Sequence, residues 1–254
     1  MITSADNKRI KNVIALISKS KARKEQDAFV IEGIKLFEEA PEEEILEVYV
    51  AESFEGKSEK LDKMPYEVVK DDVFRKMTDT LTPQGILCVV KKKHYDISDM
   101  MKAPNPVFVV LETIQDPGNL GTIMRTGEGA GVAGVIMSSD TVDIYNPKTV
   151  RSTMGSIFRV PFLYTDDLKG TVELMKAGGI SFYAAHLKGK GSCYEQDYRK
   201  PTAFLIGNEG NGLREETAEL ADTYIKIPME GKLESLNAAV STAILIYEAK
   251  RQRM

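Results

Sequence analysis

The chain has 254 residues, 43% of them hydrophobic and 28% charged, with a net charge of −4 and a pI near 5.5. This is an ordinary globular composition. It excludes a broad attraction of the whole chain to nucleic acid, and no apolar run reaches the length of a membrane span. The start, MITSADNKRI, lacks the apolar centre of a signal peptide; the two cysteines, Cys88 and Cys193, are far apart and unpatterned, which argues against a disulfide framework and predicts a cytoplasmic protein.

Residues 6–19 place Ile10, Val13, Ile14 and Ile17 on one helical stripe with lysines on the other face. Residues 1–24 hold Lys8, Arg9, Lys11, Lys19, Lys21, Arg23 and Lys24 against a single acid, Asp6. They form either a phosphate-tracking patch or a solvated helix face. AFVIEG then reads as a strand, KLFEEA as a helix, ILEVYVAE as a strand, and YEVVK, DDVFRKMTD and GILCVVKK as strand, helix and strand, a small α/β unit. MMKAPNP, residues 100–106, has two prolines and an asparagine and is read as a linker.

Beyond it the strands become apolar throughout: VFVVLE, GVIMS, SFYAAHL, AFLIGNE and YIKIPM. Between them lie the helical segments NLGTIMRTGEGAG, NPKTVRSTMGSIF, DDLKGTVELMKAGG and REETAELA. This alternation predicts a parallel sheet covered on both faces. The closing SLNAAVSTAILIYEAKRQR predicts an amphipathic helix with Ser235 as N-cap and Leu236, Ala239, Val240, Ala243 and Tyr247 on its packing face. The domains expected are 1–100 and 104–254.

Ligands of open parallel sheets bind beyond the carboxyl ends of the strands, and three loops there stand out. ETIQDPGNLGTIMRT carries a tight Pro-Gly turn, Asn119 near the start of a helix, and Arg125 within two turns of it. FLIGNEGNGL holds Gly207, Gly210 and Gly212 around Glu209, with neither the lysine nor the hydroxyl of a phosphate loop. An acid among backbone amides repels phosphate, so the expected ligand is neutral or cationic. IPMEGKLESLNAAVS brings Ser235 and Asn237 to the start of the last helix. Gly129, Gly131 and Gly134 fit a dinucleotide fingerprint by spacing but precede a strand, and Asp140 stands where a ribose-binding acid would. No His/Cys cluster suits a metal, and His94 and His186 are read as structural.

Together, PGNLGTIMRT, IGNEGNGL and IPMEGKLESLNAAVS, with NPKTVRSTMGSIFRVP between the first two, closely resemble the motifs of the SpoU (TrmH-type) RNA ribose methyltransferases of the SPOUT superfamily. KNVIALISKSKARKEQDAFVIEG is similar to the ribosomal-protein-like α/β substrate-binding domain that many members carry. The resemblance implies a trefoil knot in the C-terminal parallel-sheet domain, although threading is normally excluded. It also implies a homodimer joined through the last helix, with the active site completed across the interface. S-adenosyl-L-methionine would lie against Gly207, Ile227, Met229 and Leu236, near the AAHL strand end, in a pocket holding Glu209 and no lysine. Arg125 would be the main catalytic residue, supported by Asn119, Glu209, Ser235 and Asn237, and no metal is implied. The function implied is 2′-O-methylation of structured RNA, ribosomal RNA before transfer RNA. The alternatives are a transfer RNA enzyme, a non-catalytic RNA-binding protein of the same fold and a nicotinamide-dependent oxidoreductase.

Overall fold

The computed structural model describes every residue except Lys190, Leu233 and Glu234. Two units emerge, Met1–Lys93 with Asp143–Phe158, and His94–Val142 with Arg159–Met254. The first break in the chain thus falls ahead of the proline-bearing segment 100–106, and the NPKTVRSTMGSIF segment groups with the N-terminal unit.

In the first unit the order is α1 (Lys8–Ser18), α2 (Ser20–Glu25), β1 (Ala28–Glu32), α3 (Ile34–Glu39), β2 (Ile45–Ala51), α4 (Glu59–Asp62), β3 (Glu67–Val69), α5 (Asp71–Lys76) and β4 (Ile86–Lys91). The four strands form one sheet in the order β1-β4-β2-β3, antiparallel except for the β2/β3 pair. Asn7 caps α1 by accepting the Arg9 N–H at 2.9 Å. The buried stripe of α1 is Ile10, Val13 and Leu16, with Ile14 and Ile17 only partly covered, and it packs on Val30, Tyr49, Phe74 and Leu87.

Much of the basic charge counted in this region is already paired. Arg9 bonds Glu67 at 2.7 Å and Glu47 at 3.4 Å, Lys11 bonds Asp6 at 2.8 Å, and Lys21 reaches Glu25 at 3.7 Å. Arg23 is 4% exposed. It donates to Asp143 at 2.7 and 3.0 Å and to the Leu16 and Ile17 carbonyls at the end of α1 at 2.7 and 3.0 Å. Cutting that guanidinium away strands a partly buried carboxylate and two carbonyls, so Arg23→Ala is expected to cost about 3 kcal/mol of stability. Urea unfolding of the variant against the wild type measures it.

The second unit contains α6 (Ile97–Met100), β5 (Val107–Leu111), α7 (Pro117–Ala130) and β6 (Gly134–Ser138). The chain then gives α8 (Pro147–Thr153) to the first unit and returns with β7 (Phe162–Thr165), α9 (Leu168–Ala177), β8 (Ser181–Ala185), β9 (Gly191–Ser192), β10 (Thr202–Ile206), α10 (Glu215–Ala218), β11 (Thr223–Lys226) and α11 (Ala238–Gln252). The seven strands lie in the order β7-β6-β5-β10-β8-β11-β9, every pair parallel. β5, β6 and β10 are buried at every position, as their unbroken apolar sequences require. One face packs Phe108, Val110, Ile136, Phe182 and Leu205 against Val172 and Met175 of α9 and Ala218 of α10. No helix among the described residues is long and apolar enough to cross a membrane.

Two sequence expectations about α11 are corrected. The helix starts at Ala238 with Asn237 as its cap, whose Oδ1 accepts the N–H groups of Ala239 at 2.9 Å and Val240 at 3.2 Å. Ser235 lies outside the helix. The buried face is Ala238, Ala239, Thr242, Leu245, Ile246 and Ala249, whereas Val240 and Tyr247, expected to share a face with Ala239, are 48% and 47% exposed. The expected helix over 146–158 also breaks: Met154 adopts φ 52° and Gly155 φ 93°, and a single 3-10 turn follows.

Candidate active site

Three loops leave the carboxyl ends of β5, β10 and β11 and meet. Asp116 caps α7 by accepting the Asn119 N–H at 2.8 Å, and Pro117 fills the first turn where no N–H is needed. That cap places the Asn119 side chain over the loop after β10. Its Nδ2 donates to Glu209 Oε1 at 2.8 Å, and Asn237 Nδ2 donates to Asn119 Oδ1 at 2.9 Å. The backbone N–H of Gln115 approaches the other Glu209 oxygen at 3.4 Å. One chain of hydrogen bonds, Asn237 to Asn119 to Glu209, therefore joins residues 118 and 90 positions apart.

The glycine loop earns its composition from its own folding. Asn208 and Gly212 exchange both backbone hydrogen bonds at 3.0 Å, and Asn208 Oδ1 accepts the N–H groups of Gly210 at 2.8 Å and Asn211 at 3.1 Å. Gly212 takes φ 69°, a glycine-favouring conformation, and a Cβ on Gly207 would overlap the backbone of Gly212 and Leu213. Gly207 and Gly212 are thus required by the turn itself. Gly210 is not: a Cβ there would meet nothing nearer than Asn208 Oδ1 at 3.4 Å.

Beside this lies a polar cluster that sequence reasoning missed. Buried Glu112 accepts the Arg214 N–H at 2.7 Å and the Thr217 hydroxyl. Arg214 also pairs with Asp140 and donates to Thr113 Oγ1 at 3.1 Å. Thr113 itself holds φ 57°, rare for a β-branched residue. It is kept there by its N–H on Ser138 Oγ at 2.9 Å, its hydroxyl on Asp140 at 3.0 Å, and the Asn208 amide on its carbonyl at 2.8 Å. Burial alone would raise the Asp140 carboxyl, but the hydrogen bonds from Ser138, Arg214 and Thr113 outweigh it and hold the group below the usual carboxylate range. Asp140, the ribose-binding acid of the nicotinamide alternative, is therefore engaged by protein. The other mark of that alternative fails as well: Gly131 ends α7 with φ 80°, and Gly134 lies in β6.

A cavity of about 280 Å³ opens at the ends of β8, β10 and β11. It is lined by Ile206, Ile225, Ile227, Met229 and Leu236, by Glu209, Ser235 and the glycine loop, and by Ala185, His186 and Leu187. Every cofactor-binding residue expected from the sequence, Gly207, Ile227, Met229 and Leu236, lines it. The expectation of a lysine-free pocket fails, because Lys226 lines it too. Arg125 does not. It is exposed on α7, about 9 Å along the axis and a third of a turn round from Asn119, and bonds no other described residue. Leu233 and Glu234 of the third motif lie outside the described residues.

Residues 106–247 match the family model of the SpoU rRNA methylases. The chain belongs to the SpoU rRNA methylase family. Residues 7–88 match the model of an MRM3-like substrate binding domain. Along its length this SpoU protein is 33% identical to the 23S rRNA (guanosine(2553)-2′-O)-methyltransferase RlmP of Bacillus subtilis (strain 168), covering 98% of each chain. Among solved structures it is similar to the AdoMet-bound rRNA methyltransferase from Sinorhizobium meliloti, 32% identical with a TM-score of 0.86 over 100% of this chain and 98% of that one. It is also similar to the SpoU methyltransferase AviRb from Streptomyces viridochromogenes in complex with AdoMet, 27% identical with a TM-score of 0.86 over 97% and 98%.

The residues of this SpoU site fit such a cofactor. Apolar side chains from β11 and the last loop suit a flat base, and the Glu209 carboxylate suits the positive charge of a sulfonium. Asn237→Ala removes both the α11 cap and the donor to Asn119. It is expected to cost about 1 kcal/mol of stability, readable as a lower midpoint in thermal unfolding, together with a loss of methyl transfer larger than that destabilisation accounts for.

Proposed function

We propose that the protein transfers a methyl group from S-adenosyl-L-methionine to a ribose 2′-hydroxyl of ribosomal RNA, in the cytoplasm. Residues 1–100 select the site and 104–254 carry out the transfer. The observation that carries this reading is the Asn237–Asn119–Glu209 chain standing at the edge of an apolar cavity on the carboxyl ends of parallel strands. The similarity to RlmP, whose name specifies a guanosine of 23S rRNA, supports a ribosomal target and makes guanosine the first nucleotide to test. A ribose is reached most easily in a loop or bulge, where the nucleotide can splay out.

When bound, S-adenosyl-L-methionine would supply an electrophilic methyl for the ribose 2′-oxygen, with S-adenosylhomocysteine as the leaving group and the hydroxyl proton passing to solvent. The protein's share is placement and charge. Glu209, fixed by Asn119 and the Gln115 amide, would hold the cationic end of the donor. Ser235 offers a hydroxyl at the cavity wall. Arg125 orients a phosphate of the RNA and stabilises the developing alkoxide. A guanidinium gives up protons too reluctantly to serve as a base itself.

Arg125 lies away from the Asn119 cluster of its own chain, and we propose that it serves the cavity of a second copy. The exposed Val240 and Tyr247 on α11 would form the core of a homodimer, and Lys250 ties α11 to α7, which carries Arg125, through the Gly129 carbonyl at 2.6 Å. We further propose that the chain is knotted where the loops after β5, β10 and β11 close on one site, a reading supported by the out-of-sequence order β5-β10-β8-β11.

The test is methyl incorporation from labelled S-adenosyl-L-methionine into purified ribosomal RNA, intact ribosomal subunits and transfer RNA, followed by mass-spectrometric mapping. Incorporation at one ribose of 23S rRNA is the expected result. Incorporation into transfer RNA alone would overturn the ribosomal assignment, and none into any RNA would favour a binding protein.

A further inference from the structure

Between α5 and β4 the chain runs through residues 78–84, a loop fastened at both ends. At its start the Asp79 carboxylate pairs with Arg151 of α8, and the Thr80 hydroxyl donates to Glu32 at the end of β1. At its end Gln84 Oε1 accepts the Ile34 N–H at 3.2 Å. The same oxygen lies against Gly33, where φ is 99° and a Cβ would meet it at 2.8 Å. The Thr78 hydroxyl donates to the Arg75 carbonyl at 3.2 Å and closes the last turn of α5. Between these anchors Leu81 is wholly exposed. A lone surface leucine is ordinary on a loose loop. Here the backbone on both sides is held in place, at a cost in conformational entropy, around an apolar side chain that buries nothing in return.

We infer that this loop is a wedge for RNA: Leu81 packs on the face of an unstacked base of the substrate, and Lys35, Arg75 and Lys76 hold phosphates to either side. The inference rests on the reading of residues 1–100 as the part that selects the RNA site. Cations bracket the tip. Arg75 and Lys76 end α5 just ahead of the loop, and Lys35 follows Ile34, the loop's far anchor. All three are exposed and none forms an ion pair with a described residue, unlike Arg9, Lys11 and Arg23 of the same unit. The acid of the loop, Asp79, is already engaged by Arg151. A protein partner would bury an apolar surround along with the leucine, whereas the residues beside Leu81 are Thr80 and Thr82. A base splayed out of a loop or bulge offers a flat apolar face flanked by negative charge, and leucine is among the side chains that wedge against unstacked bases.

The test uses the full chain and purified 23S rRNA. Leu81→Ser is expected to weaken RNA binding and raise the KM for RNA by about tenfold, the worth of one stacked base. The kcat, the affinity for S-adenosylhomocysteine and the unfolding midpoint should stay as in the wild type, because Leu81 is wholly exposed. The dependence of affinity on salt should also be unchanged, whereas Arg75→Ala or Lys35→Ala should each lower that slope by about one. The chain contains no tryptophan, so Leu81→Trp sets a single indole at the tip. It should keep the affinity and lose emission as RNA saturates it, the mark of stacking on a base. Unchanged RNA affinity in Leu81→Ser, or unchanged emission in Leu81→Trp at saturation, would overturn the inference. A change in oligomeric state in Leu81→Ser would do so too, by giving the tip to a second copy. Failure of the wild type to bind 23S rRNA at all would instead refute the reading of the domain on which the inference rests.

Discussion

Arg125→Ala is expected to lower methyl transfer by about a hundredfold or more, the usual cost of deleting one charge-stabilising donor, while S-adenosylhomocysteine binds unchanged. The separation follows from geometry: Arg125 is exposed on α7 and does not line the cavity. Near-normal turnover in the variant would sink the role proposed for it. If the arginine serves the neighbouring copy, a second result follows. Arg125→Ala mixed with a variant unable to bind cofactor should regain activity, since each heterodimer then holds one cavity and one arginine that match. Two inactive proteins that stay inactive after mixing and exchange would place Arg125 in service of its own chain.

Gly207→Ala is the other substitution with a large expected effect. The added methyl meets the backbone of Gly212 and Leu213, and no flexible side chain is present to yield. Overpacking of this kind costs about 3 kcal/mol, and relief by opening the turn would undo the Asn208–Gly212 pairing that presents Glu209. The expected outcome is a lower unfolding midpoint together with loss of S-adenosylhomocysteine binding. Gly210→Ala is the control, because its methyl projects into open space beside Asn208 Oδ1. Equal damage to stability from both substitutions would contradict the account of the loop.

The loops at the strand ends were legible because each carries residue types with narrow uses, and Asn119, Glu209 and Asn237 do come together. Periodicity misled where surface and core share a chemistry. Val240 and Tyr247 fit a packing stripe on α11, yet about half of each is exposed, and hydrophobic spacing cannot distinguish a core from an interface. Ser235 and Asn237 are equally good caps by type, and only the position of the first helical turn separates them. β7 escaped notice because its four residues, three of them half-buried, sit at the sheet edge without alternation. The basic N-terminal stretch was overcounted because its partners lie elsewhere: Glu47 and Glu67 for Arg9, and Asp143 for Arg23, 120 positions away. Nothing in the sequence signals the φ of Thr113.

The carboxamide of Asn237 has a consequence for the direction of the whole chain it heads. Its oxygen is claimed by two backbone N–H groups of α11, so only its NH₂ can face Asn119. Asn119 must then turn its own oxygen toward Asn237 and its NH₂ toward Glu209, and Glu209 is left as an acceptor. The polarity of the cluster is thus written by the backbone of the last helix, the same helix proposed to join two copies. Aspartate at either asparagine position would preserve size but remove a donor, setting oxygen against the Asn119 oxygen from position 237 or directly against Glu209 from position 119.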